Sequence, residues 1–341
     1  MTNRGGQDTD FAALRRHIVA QGLLDTAPVY YWRKLGAAAV LLVVSVTLVL
    51  TGENLAIRAL AAVMLAVTFT QVGLVAHDAG HGQIFRSRRR NDLLGLILVN
   101  LVMGFGYSWW VDKHNRHHRH PNRPDYDPDI SLPFLALSTG QLETKSPFQR
   151  FFIRNQAFLF PPFLLLVAYS LRLDSVAFLL RARFPYRTLE VALLSAHLIL
   201  YSAGVIALLG VTHGLYFVAI HQGCLGLFLG SAFAANHKGM PMLDPGSSAT
   251  FLWRQVVTTR NLRRHPVTDF WYGPLACQIE HHLFPRMPRC NLRKAAPIVR
   301  TFCESHGVPY HETGVVRAYT EILRHLHQVS GVLRRPRRER S

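Results

Sequence analysis

Four stretches of this chain are apolar over the length of a membrane crossing. Residues 35–51 and 55–76 form one pair, joined by the short turn Gly52-Glu53-Asn54. Residues 189–209 and 215–235 form a second pair, joined near Gly210 to Gly214. A helix needs about 20 apolar residues to cross a bilayer. Only helices and closed barrels satisfy their own backbone hydrogen bonds there. The four stretches therefore predict two helical hairpins in a membrane. Hydrophobic residues make up 49% of the chain, yet its formal net charge is +18. That pairing fits a membrane protein with a basic face. A nucleic-acid binder also has a high pI, but apolar runs of this length exclude that class. The first thirty residues are too polar for a cleaved signal peptide. Residues 1–330 read as a single domain and 331–341 as a basic, disordered tail. The four cysteines, Cys224, Cys277, Cys290 and Cys303, form no C-x-x-C pair. Neither a zinc knuckle nor a thioredoxin-like motif is expected from them.

Histidine comes in three bursts. They are His77-Asp78-Ala79-Gly80-His81, His114-Asn115-Arg116-His117-His118 and Gln278-Ile279-Glu280-His281-His282. Residues three and four apart share a helix face, so His77 pairs with His81, and His114 with His117 and His118. Imidazole suits iron, zinc, copper and nickel. Three such faces converging supply more nitrogens than one tetrahedral zinc accepts, and the surplus points to a pair of metals.

The flanks of these bursts carry a resemblance. Trp109-Trp110 precedes the second and Pro121-Asn122 follows it. Asn236-His237-Lys238-Gly239-Met240 lies ahead of the third. Gln278 to Pro285 reads QIEHHLFP, with Met287-Pro288-Arg289 after it. Over residues 30 to 328 the chain resembles the membrane-bound fatty acid desaturases. The resemblance implies a centre of two iron ions, dioxygen and two electrons as co-reactants, and removal of two hydrogens from a fatty acyl chain. The expected metal ligands are His77, His81, His114, His117, His118, His281 and His282. His237, at the end of the fourth apolar stretch, joins them because the family implies a ligand-bearing residue in this region. Asp78 and Glu280 are expected to accept a hydrogen bond from the far ring nitrogen of a ligand histidine, with direct ligation the less favoured role. Gln278 shares a helical face with His281 and His282 and is expected beside the metals. Trp109 and Trp110 are candidates for the wall of an acyl tunnel, and equally for ordinary interfacial aromatics. Asp127-Pro128-Asp129 reads as a turn, with the orienting of ligands as the less favoured role.

All ligand-bearing segments must meet, so they lie on one side of the membrane. The apolar stretches 93–110 and 151–171 then cannot cross, and are expected to be re-entrant or interfacial. Pro161-Pro162 also breaks the second of these. The expectation is an all-α integral membrane fold. Four transmembrane helices would carry a cytoplasmic helical cap over a histidine-rich di-iron site. Arg86, Arg88, Arg89, Arg90, Arg254, Arg260, Arg263 and Arg264 flank the bursts, and Arg33 and Lys34 precede the first crossing. The positive-inside rule then puts the site and both termini in the cytoplasm of a cell-membrane protein. Arg58 is the one basic residue on the far side, expected to snorkel to the interface.

Residues 11–24 present Phe11, Leu14, Ile18 and Val19 as an interfacial helix. Residues 291–331 read as a two-helix cap, with Val316, Tyr319, Ile322, Leu323 and Leu326 on one apolar face. His197, His213 and His221 are expected to make hydrogen bonds within the bundle. His120, His306, His311, His325 and His327 read as surface residues. Many family members carry an amide where this chain has Ala276, which puts substrate position in question. No His-Pro-Gly-Gly haem motif occurs, so electrons are expected from a separate protein, a ferredoxin with its reductase. The fatty acyl substrate could be carried by coenzyme A, by a carrier protein or by a lipid. Two rivals stand: a related di-iron lipid, alkane or carotenoid hydroxylase, and, from another class, a histidine-rich metal transporter.

Overall fold

The structure, a computed structural model, describes residues 4–244 and 246–334, with side chains from residue 11 onward. Residues 335–341, most of the expected basic tail, lie outside the described residues. Helix α1 (Arg4–Ala20) leads to α2 (Pro28–Thr51) and α3 (Leu55–Gly80). Pro28 opens α2 seven residues before the apolar run begins, because proline is well placed in the first turn of a helix. The α2–α3 turn is fastened from both sides. Asn54 accepts from Ile57 N at 2.9 Å, and Arg58 Nε donates to Gly52 O at 3.1 Å. Arg58 is thus spent on closing the hairpin. Only 11% of the apolar window of α2 is buried, against 61% for α3, so α3 is the central column and α2 its lipid-facing cover.

The chain then runs into α4 (Arg88–Leu96) and a π-helical turn (Ile97–Met103), reverses, and returns as α5 (Tyr107–Arg119), with a bend of 114°. The reversal needs glycine. Gly104 has φ +75°, and a Cβ there would stand 2.3 Å from the ring of His197. Tyr107 packs over Gly95, where a Cβ would meet its ring at 2.2 Å. Stretch 93–110 is therefore bent sharply in its middle and is not one straight helix. Its return limb is anchored by buried Glu190, which accepts from Ser108 N at 3.0 Å and Asn100 Nδ2 at 3.1 Å.

Stretch 151–171 is divided among α6 (Pro147–Ile153), α7 (Gln156–Leu164) and α8 (Val167–Arg181). Pro161 and Pro162 lie inside α7, and the chain bends by 75° just after it. Helix α9 (Arg187–Ala235) consists of two helical arms joined at a kink. Gly210, at φ +68° and ψ 176°, folds it back on itself. Tyr201 and His221, twenty residues apart, are joined by a 2.7 Å hydrogen bond, whereas a straight helix would separate them by about 30 Å. The two arms of α9 are the second hairpin expected from residues 189–235. Among the described residues three helices are long and apolar enough to span a bilayer: α2, α3 and α9.

The remaining chain builds a cap: α10 (Phe251–Val257), α11 (Pro266–Tyr272), a 3-10 turn (Gly273–Cys277), α12 (Gln278–Leu283), α13 (Arg289–Ser305), α14 (Val315–Val329) and a last turn, α15 (Gly331–Arg334). A two-residue parallel bridge, Asn261–Leu262 with Glu312–Thr313, ties it together. Two expectations change here. The apolar face of α1 is covered by protein: Leu14 and Ile18 pack into a cluster with Leu252, Ile279 and Phe284, and only Val19 is left outside. On α14 the buried face is Ala318, Ile322, Leu326 and Val329, while Val316 is 83% exposed.

Candidate metal centre

The three histidine bursts fall at the end of α3, on α5 and on α12, and His237 follows the second arm of α9 directly. All eight expected ligands meet. They form two groups. His77, His81, His114 and His281 have ring nitrogens within 4.8 Å of one another, as do His117, His237 and His282. His118 lies between the groups. Its Nε2 is 3.1 Å from His114 Nε2, and its ring stacks on that of His282 at 4.2 Å.

The far ring nitrogens show which atoms are offered to the centre. His117 Nδ1 is 3.0 Å from Asp127 Oδ2. His237 Nδ1 is 3.2 Å from Thr258 O. His282 Nδ1 is 2.8 Å from Gln255 Oε1, and that glutamine is oriented because its amide donates to His118 O at 2.8 Å. All three partners are acceptors, so each Nδ1 carries the hydrogen and each Nε2 presents a lone pair. His117 Nε2 and His237 Nε2 nevertheless face each other at 3.3 Å. Two lone pairs at that distance repel unless a cation lies between or beside them or one ring carries a second proton, and the Gln278 amide also reaches His237 Nε2 at 2.9 Å. His77 Nε2, His282 Nε2 and both nitrogens of His281 are buried with no hydrogen-bond partner. Buried polar atoms rarely lack partners. A set of inward, deprotonated nitrogens with tethered outer nitrogens is the donor set of a metal site, and its division into two groups fits two ions.

Electrostatics point the same way. Burial, reinforced by neighbouring imidazoles, holds His81, His114, His118, His237, His281 and His282 well below the ordinary histidine pKa. His117 differs. Burial opposes its charged form too, but the carboxylates of Asp127 and Asp129 outweigh that, and its pKa rises.

Asp78 does what the sequence implied. Its Oδ1 is 3.0 Å from His77 Nδ1, and its other oxygen is paired with buried Arg289 at 2.6 Å. Glu280 does not. It is fully buried, but its oxygens accept from Asn261 Nδ2 at 2.7 Å and Tyr310 OH at 2.8 Å, so the expected bond to a ligand histidine is absent. Asp127, for which the turn is the favoured reading and the orienting of ligands the other, is both turn and tether. It accepts from Asn122 N and Asp129 N at 2.8 Å as well as from His117. Gln255 and Arg289 were missed. Neither lies in a burst, and the only signal for Arg289 was its place in Met287-Pro288-Arg289.

Gln278 points inward, its Nε2 2.9 Å from His237 Nε2 and its Oε1 unpartnered. With Trp109 and Trp110 it lines a narrow crevice of about 40 Å³ against His77, His114, His117 and His237. Trp110 stacks on His114 at 4.8 Å. Gly80 makes room for it, since a Cβ there would meet the indole at 2.4 Å. Ala276 is buried beside Leu275, whose carbonyl accepts from Asn236 Nδ2 at 2.7 Å. His120 packs on Tyr126, away from the centre. His197 donates to Leu101 O at 2.9 Å, and His221 pairs with Tyr201. His213, expected inside the bundle, is exposed. Two histidines read as surface residues are engaged instead: His311 lies 3.2 Å from Glu321 and His325 2.8 Å from Leu137 O.

Apolar helices holding a buried, two-part histidine cluster fit a class: membrane proteins whose imidazoles are placed to bind metal. The family can be stated more narrowly. The fatty acid desaturase family model matches residues 53–314, and the chain belongs to that family. It is 32% identical over 94% of its length to an acyl-lipid (9-3)-desaturase of Physcomitrium patens, of which it covers 62%. It is 31% identical over 93% of its length to a Delta(8)-fatty-acid desaturase of Euglena gracilis, of which it covers 78%. A Borago officinalis acyl-lipid (9-3)-desaturase is 30% identical over 93% of the chain and is covered to 74%.

Proposed function

We propose that this chain is an oxygen-dependent fatty acyl desaturase that introduces a carbon–carbon double bond with a di-iron centre and an external electron donor. The observation that carries the reading is the pair of convergent histidine groups, with the ring nitrogens of His281 and the Nε2 atoms of His77 and His282 buried and unpartnered among them. The names of the relatives support the reaction class. His77, His81, His114 and His281 would hold one iron and His117, His237 and His282 the other, with His118 between them. When bound, the pair supplies the oxidising power that removes two hydrogens from an unactivated chain. The protein supplies the rest. Trp109, Trp110, Leu171 and Phe233 give the crevice an apolar wall that orients methylenes beside the histidines and keeps bulk water out. Asp78, Asp127, Gln255 and the Thr258 carbonyl fix the rings, so the nitrogens need not reorganise. Lys113 pairs with Asp129 at the crevice mouth.

Four crossings follow, namely α2, α3 and the two arms of α9, with the cap, both termini and the histidines cytoplasmic. The basic residues flanking the cap support this orientation, and they suit an acidic donor such as a ferredoxin. Expression in a host lacking unsaturated lipids, followed by mass spectrometry of its acyl chains, tests the proposal. A new double bond is expected, and its position is read directly. An alcohol in its place would assign the hydroxylase alternative. Unchanged chains from protein loaded with two irons and supplied with donor would reject both. A transporter would carry histidines along a path through the membrane; His197 and His221 are instead occupied by bonds within the bundle.

A further inference from the structure

A second cavity, of about 580 Å³, runs between α7, the second arm of α9, α11 and α14. Its size falls in the range of about 300–1,000 Å³ typical of small-molecule sites. Its walls are apolar, built from Phe160, Leu164, Leu227, Trp271, Tyr319 and Leu323. Two observations say what covers it. At its mouth α11 turns apolar side chains outward: Val267 is 61% exposed and Phe270 48%. Such a patch is costly in water but ordinary beside the lipid-facing arm of α9. The groove therefore opens at the level of the bilayer. A separate, shallower hollow adjoins it at Val315–Val316 and is lined by Arg263, Thr313, Val316 and Arg317. Arg263 makes no ion pair among the described residues. The acid that Arg317 reaches, Glu321, is shared with Arg260 and His311. An apolar slot beside the unpaired guanidinium of Arg263 and a cluster in which one acid serves Arg260, Arg317 and His311 fits an aliphatic chain that ends in a phosphate-bearing head.

We propose that this groove seats one acyl chain of a glycerophospholipid from the bilayer, with the phosphate against Arg263 and Arg317. The seat shares a wall with the metal crevice. Ser231 faces the groove and Ala232, next in the chain, faces the crevice; Tyr272 and Leu275 divide in the same way. Trp271 Nε1 donates to Ser231 Oγ at 2.8 Å, and Tyr319 OH donates to Ser231 O at 2.9 Å, which closes that wall. Resting on the desaturase reading, the groove is the loading position of a phospholipid-linked substrate, one layer of side chains from the histidines.

The test uses full-length protein in nanodiscs containing phosphatidylglycerol with a photoactivatable diazirine near the end of one acyl chain. Labelled peptides are located by mass spectrometry. Label is expected on α11 and α14, and Leu227→Trp, which fills the groove, should reduce it by about tenfold, equivalent to ~1.4 kcal/mol. Arg263→Glu should weaken labelling by phosphatidylglycerol but not by a diacylglycerol bearing the same tail. It is a surface change and remains informative if Leu227→Trp does not fold. Label spread over α2 and α3 without enrichment on α11 and α14 would overturn the proposal. So would equal loss with both probes in Arg263→Glu, or enrichment only with an acyl-coenzyme A probe. Labelling needs no turnover. A chain that labels as expected yet makes no double bond would remove the desaturase reading and leave the seat.

Discussion

Asp78 and Arg289, 211 residues apart, form a buried ion pair at 2.6 Å, and the same carboxylate holds His77 by its outer nitrogen. One contact thus fastens the first histidine burst to the start of α13. Arg289→Gln should strand a buried carboxylate. Removing one partner of such a pair costs about 3–5 kcal/mol. The expected result is a lower unfolding temperature together with weaker iron retention. Arg289→Lys should recover part of both, because it restores charge without the forked geometry. A variant that keeps parental stability and iron would show the pair to be incidental.

The parent protein should hold two irons per chain. Asp127→Ala frees His117 from its tether while leaving every proposed ligand in place. Loss of such a partner lowers metal affinity by about 10–100-fold. Iron should therefore leave faster during dialysis against a chelator, and from the His117–His237–His282 group first. A single zinc in the purified parent would contradict the two-metal reading outright.

Protein stripped of metal should be acid-sensitive in a defined window. Burial depresses the pKa of His81, His114, His118, His237, His281 and His282 in the folded state. Unfolded histidines take up protons near pH 6.5, so below that value the unfolded chain binds more protons than the folded one. The stability these groups contribute is present above pH 6.5 and is lost as pH falls toward their folded values. Thermal scans of chelated protein from pH 8 to pH 5 should show a falling midpoint. His117, whose pKa is raised, works in the opposite sense and blunts the loss. A flat profile would mean that these rings are not buried neutral.

Gln278→Ala should lose most turnover while iron falls only in part, since eight imidazoles remain. Its amide lies 2.9 Å from His237 and lines the crevice, so it is placed to orient what enters there. Activity equal to the parent would make it scaffold.

The convergence of the histidines was legible in the sequence because helical spacing is a local property. Two residues four apart on a helix share a face wherever that helix packs. Their tethers were not. Asp127 lies in a proline turn, Gln255 on a short helix with no histidine, and Arg289 beyond the third burst. Each reaches its partner only through tertiary packing. Glu280 failed for a related reason. One residue along a helix is a turn of about 100°, which carries it off the face of Gln278 and His281 toward Asn261 and Tyr310. The hairpins were read closely because apolar length and turn residues are explicit. The packing of α1 was not, since an amphipathic face does not say whether lipid or protein will cover it.

The order in which the chain is made acquires a consequence from the way the two histidine groups are composed. One group needs His281 and the other needs His282, both on α12, after every apolar hairpin in the sequence. Neither group can close while a ribosome is still synthesising the hairpins. Insertion into the bilayer and capture of metal are therefore successive events, with α12 as the latch. A chain halted before residue 281 would be lodged in the membrane carrying six of the eight histidines and no complete pocket for either ion.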